Sequence, residues 1–480
     1  MPPISWRFDN HYGRLPGVLF SRIAPTPVAA PRLMIFNQAL AVALELDLTG
    51  LAEGELAALF AGNVLPDGAD PLAQAYAGHQ FGSFTRLGDG RAILLGECLT
   101  PEGRRVDLQL KGAGRTPYSR SGDGRAALGP MLREYLVSEA MQALGIPTTR
   151  ALAVVATGEP VFREQAHPGA ILTRIAASHL RVGTFEYAVR CGEPVLRALF
   201  EATLARHDPV LAEADSPPLA FLQAVLDRQA DLVVAWMRVG FIHGVMNTDN
   251  MSLAGETLDY GPCAFLDGYD PAAVFSAIDL GGRYAFDQQM ACAQWNLARL
   301  AETLLPLLPD PDAGREQAEA MILGFGPAIE QRWREMMGRK LGLFHLCPGD
   351  EDLIDSLLGW MHQTGADYTN SFRALSDPDC PGIADPLWRQ WEQRWRNRLS
   401  QQAEPIAAAR ALMERHNPVY IPRNHRVEAV LAAAEQEGDL APFRSLLAVL
   451  SDPYHPQPGQ EAYQQPPTPS ERVTRTFCGT

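Results

Sequence analysis

The chain has 480 residues, about three times the usual length of a single domain, so at least two packed regions are expected. Its 46% content of hydrophobic residues allows a sizeable core. Its formal net charge of −15 argues against nucleic acid as a partner, because nucleic-acid phosphates would repel an acidic surface.

The first 60 residues mix turn-forming residues with one apolar helix candidate at 33–46 and carry no chemistry of their own. The first ten residues include an acid and lack an apolar stretch behind a basic start, so neither a secretory signal nor a transit peptide is predicted. No stretch approaches the roughly 18 apolar residues that suggest a membrane-spanning helix. The expected location is the cytoplasm, without a membrane partner.

A glycine turn followed by two strands is the first candidate for chemistry. Gly88 and Gly90 flank Asp89 ahead of Arg91 and an apolar strand at 92–97, and a backbone without Cβ atoms can approach phosphate closely. The next strand, at 106–111, alternates apolar and polar residues and ends at Lys111. A protein kinase has its phosphate-binding lysine at this position, although a surface lysine at a strand end is the ordinary alternative.

A loop and a helix follow. The loop at 112–125 contains four glycines and three arginines, a composition typical of a mobile anion-binding loop. The helix at 130–144 carries Glu134 and Glu139, either of which could pair with the strand lysine.

Further strands are predicted at 150–156, 160–164 and 170–176, and they complete a β-rich lobe. Arg174 and Arg181 lie seven residues apart in and after the last strand. They are interpreted either as a clamp for phosphate oxygens or as solvated surface charges.

The remaining chain is predicted to be mostly helical and to carry a catalytic loop. After a helix candidate at 219–239, His243 and Asn250 keep the spacing of the kinase pattern H-R-D-x-x-x-x-N, and Asp259 begins a D-Y-G where a kinase has D-F-G. The residues between Asn250 and Asp259 have the length of a tight turn and a short strand, so the two side chains are expected to face each other.

One position departs from the kinase pattern. Val245 stands where a kinase has its catalytic Asp, and a valine cannot accept a proton from a hydroxyl. Either the chemistry is lost or Asp249 has taken it over.

Four stretches together resemble the selenoprotein O family, which includes the YdiU-like proteins: YAGHQFG at 76–82, LKGAGRTPYSRSGDGRAAL at 110–128, LTRIAASHLRVGTFEY at 172–187 and HGVMNTDNMS at 243–252. The resemblance covers nearly the whole chain and implies a protein-kinase-like bilobal fold of the α+β class. The implied regions are an N-terminal extension at 1–60, a β-rich N-lobe at 61–190, a helical C-lobe with the catalytic loop and DYG at 191–345, and a helical C-terminal region with a Pro/Gln-rich tail at 346–480.

The family's pseudokinases act as protein adenylyltransferases, which implies ATP bound in a flipped orientation. AMP would then go to Ser, Thr or Tyr hydroxyls of protein substrates, and pyrophosphate would leave, with Mg²⁺ or Mn²⁺ required. Carried onto this chain, the resemblance implies Asp249 as general base, Asn250 and Asp259 as metal ligands, and Lys111, supported by Glu134, as a phosphate ligand. The other nucleotide-binding residues that it implies are Gly88, Gly90, Arg91, Asp123, Gly124, Arg174 and Arg181.

The C-terminal tail departs from the family pattern. Members often end in a C-x-x-Cys or C-x-x-selenocysteine, whereas here Arg475 stands three residues before Cys478. The family can also bridge its tail cysteine to one after the D-Y-G, and the stretch 271–275 contains no Cys. Cys478 keeps one hypothesis, a reversible thiol exchange with a target or with glutathione.

Three alternatives to AMP transfer stay open at this point. UMP transfer from UTP would use the same residues, because phosphate and metal ligands do not read the base. Ordinary phosphorylation would use Asp249 with ATP in the usual orientation. A catalytically inactive scaffold would have no chemical reason to carry Lys111, Asn250 and Asp259.

Overall fold

In the computed structural model, the described residues are 6–377, 383 and 385–477. The chain begins with a sheet-rich region and continues as a helical region, which confirms the predicted α+β class. The strands are β1 (Phe20–Arg22), β2 (Arg32–Phe36), β3 (Leu72–Gln74), β4 (Ala77–Gln80), β5 (Ser83–Arg86), β6 (Ala92–Leu99), β7 (Arg105–Lys111), β8 (Ala126–Ala127), β9 (Arg150–Phe162), β10 (Ala166–Ala176), β11 (Phe241–Ile242) and β12 (Ala264–Phe265).

The main sheet has the strand order β1-β3-β6-β7-β10-β9-β2, with antiparallel neighbours throughout, and β8 pairs with β10. Lys111 lies opposite Leu172 of β10, and Gln109 lies opposite Arg174. Because side chains alternate along a strand, Lys111 and Gln109 lie on one face of the sheet together with Arg174. The register therefore brings two cations side by side.

The helices pack against this sheet and against one another. They are α1 (Gln38–Ala43), α2 (Glu53–Phe60), α3 (Leu128–Ala143), α4 (Val182–Arg190), α5 (Glu193–His207), α6 (Pro217–Arg238), α7 (Gln289–Leu304), α8 (Pro311–Lys340), α9 (Asp350–Thr364), α10 (Tyr368–Ser376), α11 (Pro386–Leu399), α12 (Ile406–His416), α13 (Asn424–Ala432) and α14 (Ala441–Leu450). None of these helices of the described residues is long and apolar enough to span a membrane.

The apolar core has three parts. The largest is formed by the helices from α4 to α12, with Phe221 and Leu297 among its fully buried members. A second lies between one face of the sheet, α3, α13 and α14, and a third covers the other face of the sheet beneath α1 and α2. The sheet is thus buried on both faces, which holds its strand ends rigid at the site described below.

Two predicted elements differ from the observed ones. The helix predicted at 33–46 is instead the strand β2 followed by the short helix α1, because β2 pairs with β9 and the Asn37 side chain caps α1 by accepting the N–H of Leu40. The two strands predicted at 150–156 and 160–164 form the single strand β9.

Candidate active site

A cleft of about 800 Å³ lies where the sheet meets the helical region. The residues predicted from the sequence to contact nucleotide or metal, or to act as the base, all line this cleft. They are Gly88, Gly90, Arg91, Lys111, Asp123, Gly124, Glu134, Arg174, Arg181, Asp249, Asn250 and Asp259. Cys478 lies outside the described residues.

The lysine at the end of β7 is held by two carboxylates. Lys111 Nζ donates to Glu134 Oε2 on α3 at 2.6 Å, and it also donates to Asp259 Oδ1. Glu139, the other glutamate that the sequence left open, pairs instead with Arg150 at 2.7 Å. Lys111 is buried, so the alternative of a surface lysine is wrong.

Arg174 and Arg181 are both about 2% exposed, which excludes solvated surface charges. Arg174 Nη1 lies 3.1 Å from Glu134 Oε1 and 2.8 Å from Asp259 Oδ1. The guanidinium of Arg181 lies 3.7 Å from Asp89 Oδ1 and stacks over the ring of Tyr76 at 4.3 Å. Both guanidinium groups are thus fixed at the wall of the cleft.

Asp259 adopts an unusual backbone conformation among these cations. Its φ is +67°, a left-handed value that is rare for a residue other than glycine. Removal from bulk water works to raise the pKa of its carboxyl group, but Lys111, Arg174 and Arg181 outweigh that effect and hold the pKa well below its usual range. Asp259 therefore stays ionised at neutral pH.

Asp249 lies in a single turn of 3₁₀ helix, Thr248–Asn250, and its environment is different. Its side chain is buried, and the oxygen Oδ1 has no hydrogen-bond partner within the described part of the chain. Burial raises the pKa of this carboxyl group to about 6, against the opposing charge of Arg181. A buried carboxylate oxygen without a donor is an acceptor for a proton.

Asn250 follows directly and is oriented by the main chain. Its Nδ2 donates to the carbonyl oxygen of Val245 at 3.0 Å, so the amide oxygen points the other way. A bridge between Met251 and Thr257 closes the segment between Asn250 and Asp259 into a hairpin. Asn250 and Asp259 line the same cleft as a result, as the spacing in the sequence predicts.

The glycine- and arginine-rich loop is tied to the glycine turn rather than free. Thr116 Oγ1 donates to the carbonyl oxygen of Asp89 at 2.6 Å, and Gly114 N donates to Gly124 O at 3.0 Å. Asp123 forms an ion pair with Arg163 at 2.9 Å. The loop thus closes one side of the cleft as a fixed wall.

Several residues that line or support the cleft were not predicted from the sequence. Asp89 is buried beside Arg181, Gln109 accepts from Arg174 Nη2 at 2.6 Å, and Phe81 and Asn247 line the cleft near Asp249. Gln109 could have been found, because a polar residue two positions before Lys111 shares its face of the strand. The other three carried no signal separable from an ordinary loop.

The metal-binding potential of the cleft rests on few ligands. Among the residues that the structure describes, no group of three or more His, Cys, Asp or Glu side chains is arranged to hold a metal ion. The predicted pair, Asn250 and Asp259, consists of one amide oxygen and one carboxylate.

Comparison with known proteins agrees with these observations. The model of the family described as "Protein adenylyltransferase SelO" matches residues 3–451. The chain belongs to the SelO family. It is 58% identical to the protein nucleotidyltransferase YdiU of Syntrophotalea carbinolica, over 99% of this chain and 98% of that protein, and 54% identical to YdiU of Nitrosococcus oceani, over 99% and 98%.

Among solved structures, the chain is similar to ROP2 from Toxoplasma gondii, described as a virulence factor with a protein-kinase fold and no enzymatic activity. The identity is 14% and the TM-score 0.25, over 70% of this chain and 85% of that one. Membership of the SelO family makes this chain a protein nucleotidyltransferase. The family and the enzyme class predicted from the sequence are thereby confirmed, and the sheet-rich and helical regions agree with the predicted α+β class.

Proposed function

We propose that the chain transfers AMP from ATP to the hydroxyl groups of Ser, Thr or Tyr residues in other proteins. One observation carries the proposal. The cleft combines buried cations, Lys111, Arg174 and Arg181, with a separate carboxylate, Asp249, whose Oδ1 lacks a hydrogen-bond donor in the described residues. The cations suit a polyphosphate, and the carboxylate suits a hydroxyl proton.

The nucleotide binds with its phosphates toward the cations. The buried guanidinium groups of Arg174 and Arg181 are permanently charged and planar, which suits bidentate contact with phosphate oxygens. At Gly88, φ is +144° and a Cβ would overlap the ring of Tyr118, so this part of the cleft wall requires a glycine. Gly90, Arg91, Asp123 and Gly124 line the rest of the nucleotide site.

Mg²⁺ or Mn²⁺ fits the donor set of Asn250 and Asp259. Both supply hard oxygen ligands, and the contact of Asn250 Nδ2 with Val245 O turns the amide oxygen away from the main chain. When bound, such an ion supplies positive charge that neutralises the charge developing on the leaving pyrophosphate.

In the reaction, Asp249 accepts the proton of the acceptor hydroxyl as its oxygen forms a bond to the α-phosphorus. The bond from the α-phosphorus to the oxygen that bridges to the β-phosphorus breaks, and its electron pair leaves with pyrophosphate. Val245, at the kinase position of the catalytic Asp, cannot take the proton. The base therefore comes from a position four residues later.

Further expectations from the sequence belong to the same proposal. UTP would serve in place of ATP to the extent that the site reads phosphates rather than the base. Ser, Thr and Tyr are the expected acceptors because each presents a hydroxyl. The cytoplasm remains the expected location, and a reversible thiol exchange remains the hypothesis for Cys478.

The proposal is tested by self-labelling with ATP that carries the label either on the α-phosphate or on the γ-phosphate. We expect α-label, and no γ-label, on the wild-type chain with Mg²⁺ or Mn²⁺. Asp249→Asn and Asp259→Ala should each lower the rate at least about 100-fold, the scale of lost base catalysis or of a lost charge ligand. Asp231→Asn, a change at a 73% exposed carboxylate on α6, is the matched control and should keep the rate.

The other outcomes separate the competing functions. Label from the γ-phosphate alone would identify an ordinary kinase. Absence of both labels from the wild-type chain would favour a scaffold without catalytic activity.

A further inference from the structure

The mouth of the cleft and the loop beside it carry exposed apolar side chains that the proposed reaction does not use. Phe81 is 40% exposed, Ile278 60%, Leu280 91% and Phe477 68%. Phe81, Ile278 and Phe477 line the cleft itself, and Leu280 lies two residues beyond Ile278. These four residues are called the apolar rim below. Exposed apolar groups gathered at one place mark interaction surfaces.

Phe81 is held at the rim in a strained conformation. Its φ is +50°, a left-handed value that an aromatic residue rarely adopts. Its N–H lies 3.1 Å from Asn247 Oδ1 and 3.2 Å from the hydroxyl of Tyr284, and its ring centroid is 5.0 Å from that of Tyr284. Strain of this kind persists where the surroundings impose it, and it is concentrated at functional sites.

The loop of Ile278 and Leu280 is fixed by the residue between them. Asp279 is 5% exposed, and its carboxylate accepts the N–H groups of Arg283 at 2.9 Å and Tyr284 at 2.8 Å. Because Asp279 is anchored inward, both apolar neighbours stay largely exposed to solvent. The loop thus holds Ile278 and Leu280 at the surface in a fixed backbone conformation.

Phe477 is positioned by the residue before it. Thr476 is buried, donates to the carbonyl oxygen of Pro262 at 2.6 Å, and forms a bridge with Ser276. The C-terminal segment therefore adds a second aromatic ring to the same rim.

The rim is attached to the segment that carries Asp249 rather than to the cations of the sheet. Asn247, two residues before Asp249, contacts both the N–H of Phe81 and the hydroxyl of Tyr284, the latter at 2.6 Å. Lys111 and Arg174 belong to β7 and β10. The residues beside a hydroxyl that reaches Asp249 from solvent would therefore lie near the rim.

We infer that the apolar rim is the docking surface for the acceptor segment of the protein substrate, and that it selects hydroxyl residues with a large apolar residue beside them. The inference rests on the proposed function, because it assigns the acceptor side of that same reaction. The apolar neighbour of the acceptor covers Phe81, Ile278 and Leu280 and loses its own contact with water.

The test uses synthetic peptides with a single Ser flanked on both sides by Leu, by Gly or by Asp, and ATP labelled on the α-phosphate. We expect wild-type kcat/KM to be at least about tenfold higher for the Leu-flanked peptide than for the Gly-flanked one, the scale on which an apolar pocket discriminates. The Asp-flanked peptide should be the poorest acceptor. Self-labelling in the same reaction reports transfer itself.

Three rim variants should reduce this preference while the KM for ATP stays within about twofold of wild type: Phe81→Gly, Ile278→Ser and Leu280→Ser. Glycine suits the left-handed backbone at position 81, and the other two side chains are exposed, so the fold is kept. Combining all three should bring the Leu and Gly peptides to within about twofold of each other. Leu323→Ser, at a 73% exposed leucine on α8, is the matched control and should keep the preference.

Each contrary result has a distinct meaning. Equal wild-type kcat/KM for the Leu-, Gly- and Asp-flanked peptides would overturn the docking surface and leave the proposed function standing. The same holds if the chain labels itself but labels none of the peptides. A raised KM for ATP in Phe81→Gly with the peptide preference intact would assign the ring to the nucleotide base and also overturn it. Absence of α-label from every acceptor, the chain itself included, would remove the proposed function and the inference together.

Discussion

Asp249 is packed between two glycines that come from distant parts of the sequence. A Cβ added at Gly78 would overlap the carboxylate of Asp249, and a Cβ added at Gly183 would overlap the carbonyl oxygen of Ala77 and lie 3.3 Å from the Cα atom of Asp249. The absence of a side chain at these positions therefore sets where the carboxylate lies. This explains why the motif at 76–82 belongs to the site although it supplies no catalytic group, and it adds a packing role to the motif at 172–187, which also supplies Arg174 and Arg181.

We predict that Gly78→Ala lowers kcat about 100-fold, because a displacement of the proposed base, Asp249, on the order of 1 Å costs that much in rate. The affinity for ATP should change little, since the cations proposed to hold the phosphates come from other segments of the chain. Initial rates of α-label transfer and direct ATP binding measure the two effects. Gly54→Ala, on α2 where nothing lies within 4 Å of the added Cβ, is the control and should behave as wild type. A wild-type kcat in Gly78→Ala would argue against Asp249 as the base.

At the scale of single residues, the sequence predicted the site residues that lie close together in the chain. It missed contacts between distant segments. His243, Asn250 and Asp259 were found because one loop and one hairpin hold them together. The choice between Glu134 and Glu139 was left open, since it depends on how α3 is rotated against β7, which the packing of the sheet decides. Gly78 looked like a loop glycine because its contact with Asp249 spans 171 positions of the sequence.

Among the elements, α3 is fixed from behind by the C-terminal helices. Glu435, just after α13, accepts the N–H of Gly129 at the start of α3 at 2.8 Å, and Arg133 pairs with Glu428 of α13. The ring of Tyr135 lies 6.3 Å from that of Phe443 on α14. Because α3 carries Glu134, these contacts hold the partner of Lys111 in position.

We predict that Glu435→Ala lowers the free energy of unfolding by about 1 kcal/mol, the usual cost of removing an acceptor and a negative charge from a helix N-terminus. The KM for ATP should rise as well, because Glu134 loses part of its support. Urea unfolding and initial rates measure both effects.

Glu437→Ala is the matched control for this change. Glu437 lies two residues further along and is exposed, so its removal should alter the free energy of unfolding by less than about 0.5 kcal/mol. Equal effects of the two changes would show that the contact with α3 contributes nothing.

The elements themselves were largely predictable, and their partners were not. The periodicity of α3 and α6 predicted them to within a few residues, because each buries one apolar face. The prediction of a single helix at 33–46 was wrong, because its continuous apolar run fits either a buried strand or a helix. Nothing in the pattern of α13 or α14 indicated that they pack on α3, since an apolar face does not identify the surface that covers it.

At the scale of the whole molecule, a buried ionic network joins the sheet to the helical region. Arg206 on α5 lies 2.6 Å from Glu97 on β6 and 2.7 Å from Asp107 on β7. Burial, together with the charge of Asp107, raises the pKa of Glu97 to about 7. The division of the chain at 60, 190 and 345 stays a prediction.

We predict that Arg206→Met lowers the free energy of unfolding by about 3 to 5 kcal/mol at pH 8, because it leaves two carboxylates buried without their partner. The loss should shrink toward pH 5. Glu97 has a folded-state pKa above its ordinary value of 4.5, so the folded chain loses stability as pH rises between about 4.5 and 7. The charge of Arg206 lowers this pKa, so its removal raises the pKa further and enlarges the loss at high pH in the variant. Urea unfolding at pH 5 and pH 8 measures the difference. The control is Arg197→Met, which breaks an exposed pair with Glu193 on the same helix and should cost less than about 1 kcal/mol at both pH values. A loss of the same size at pH 5 and pH 8 in Arg206→Met would show that Glu97 does not take up the proton.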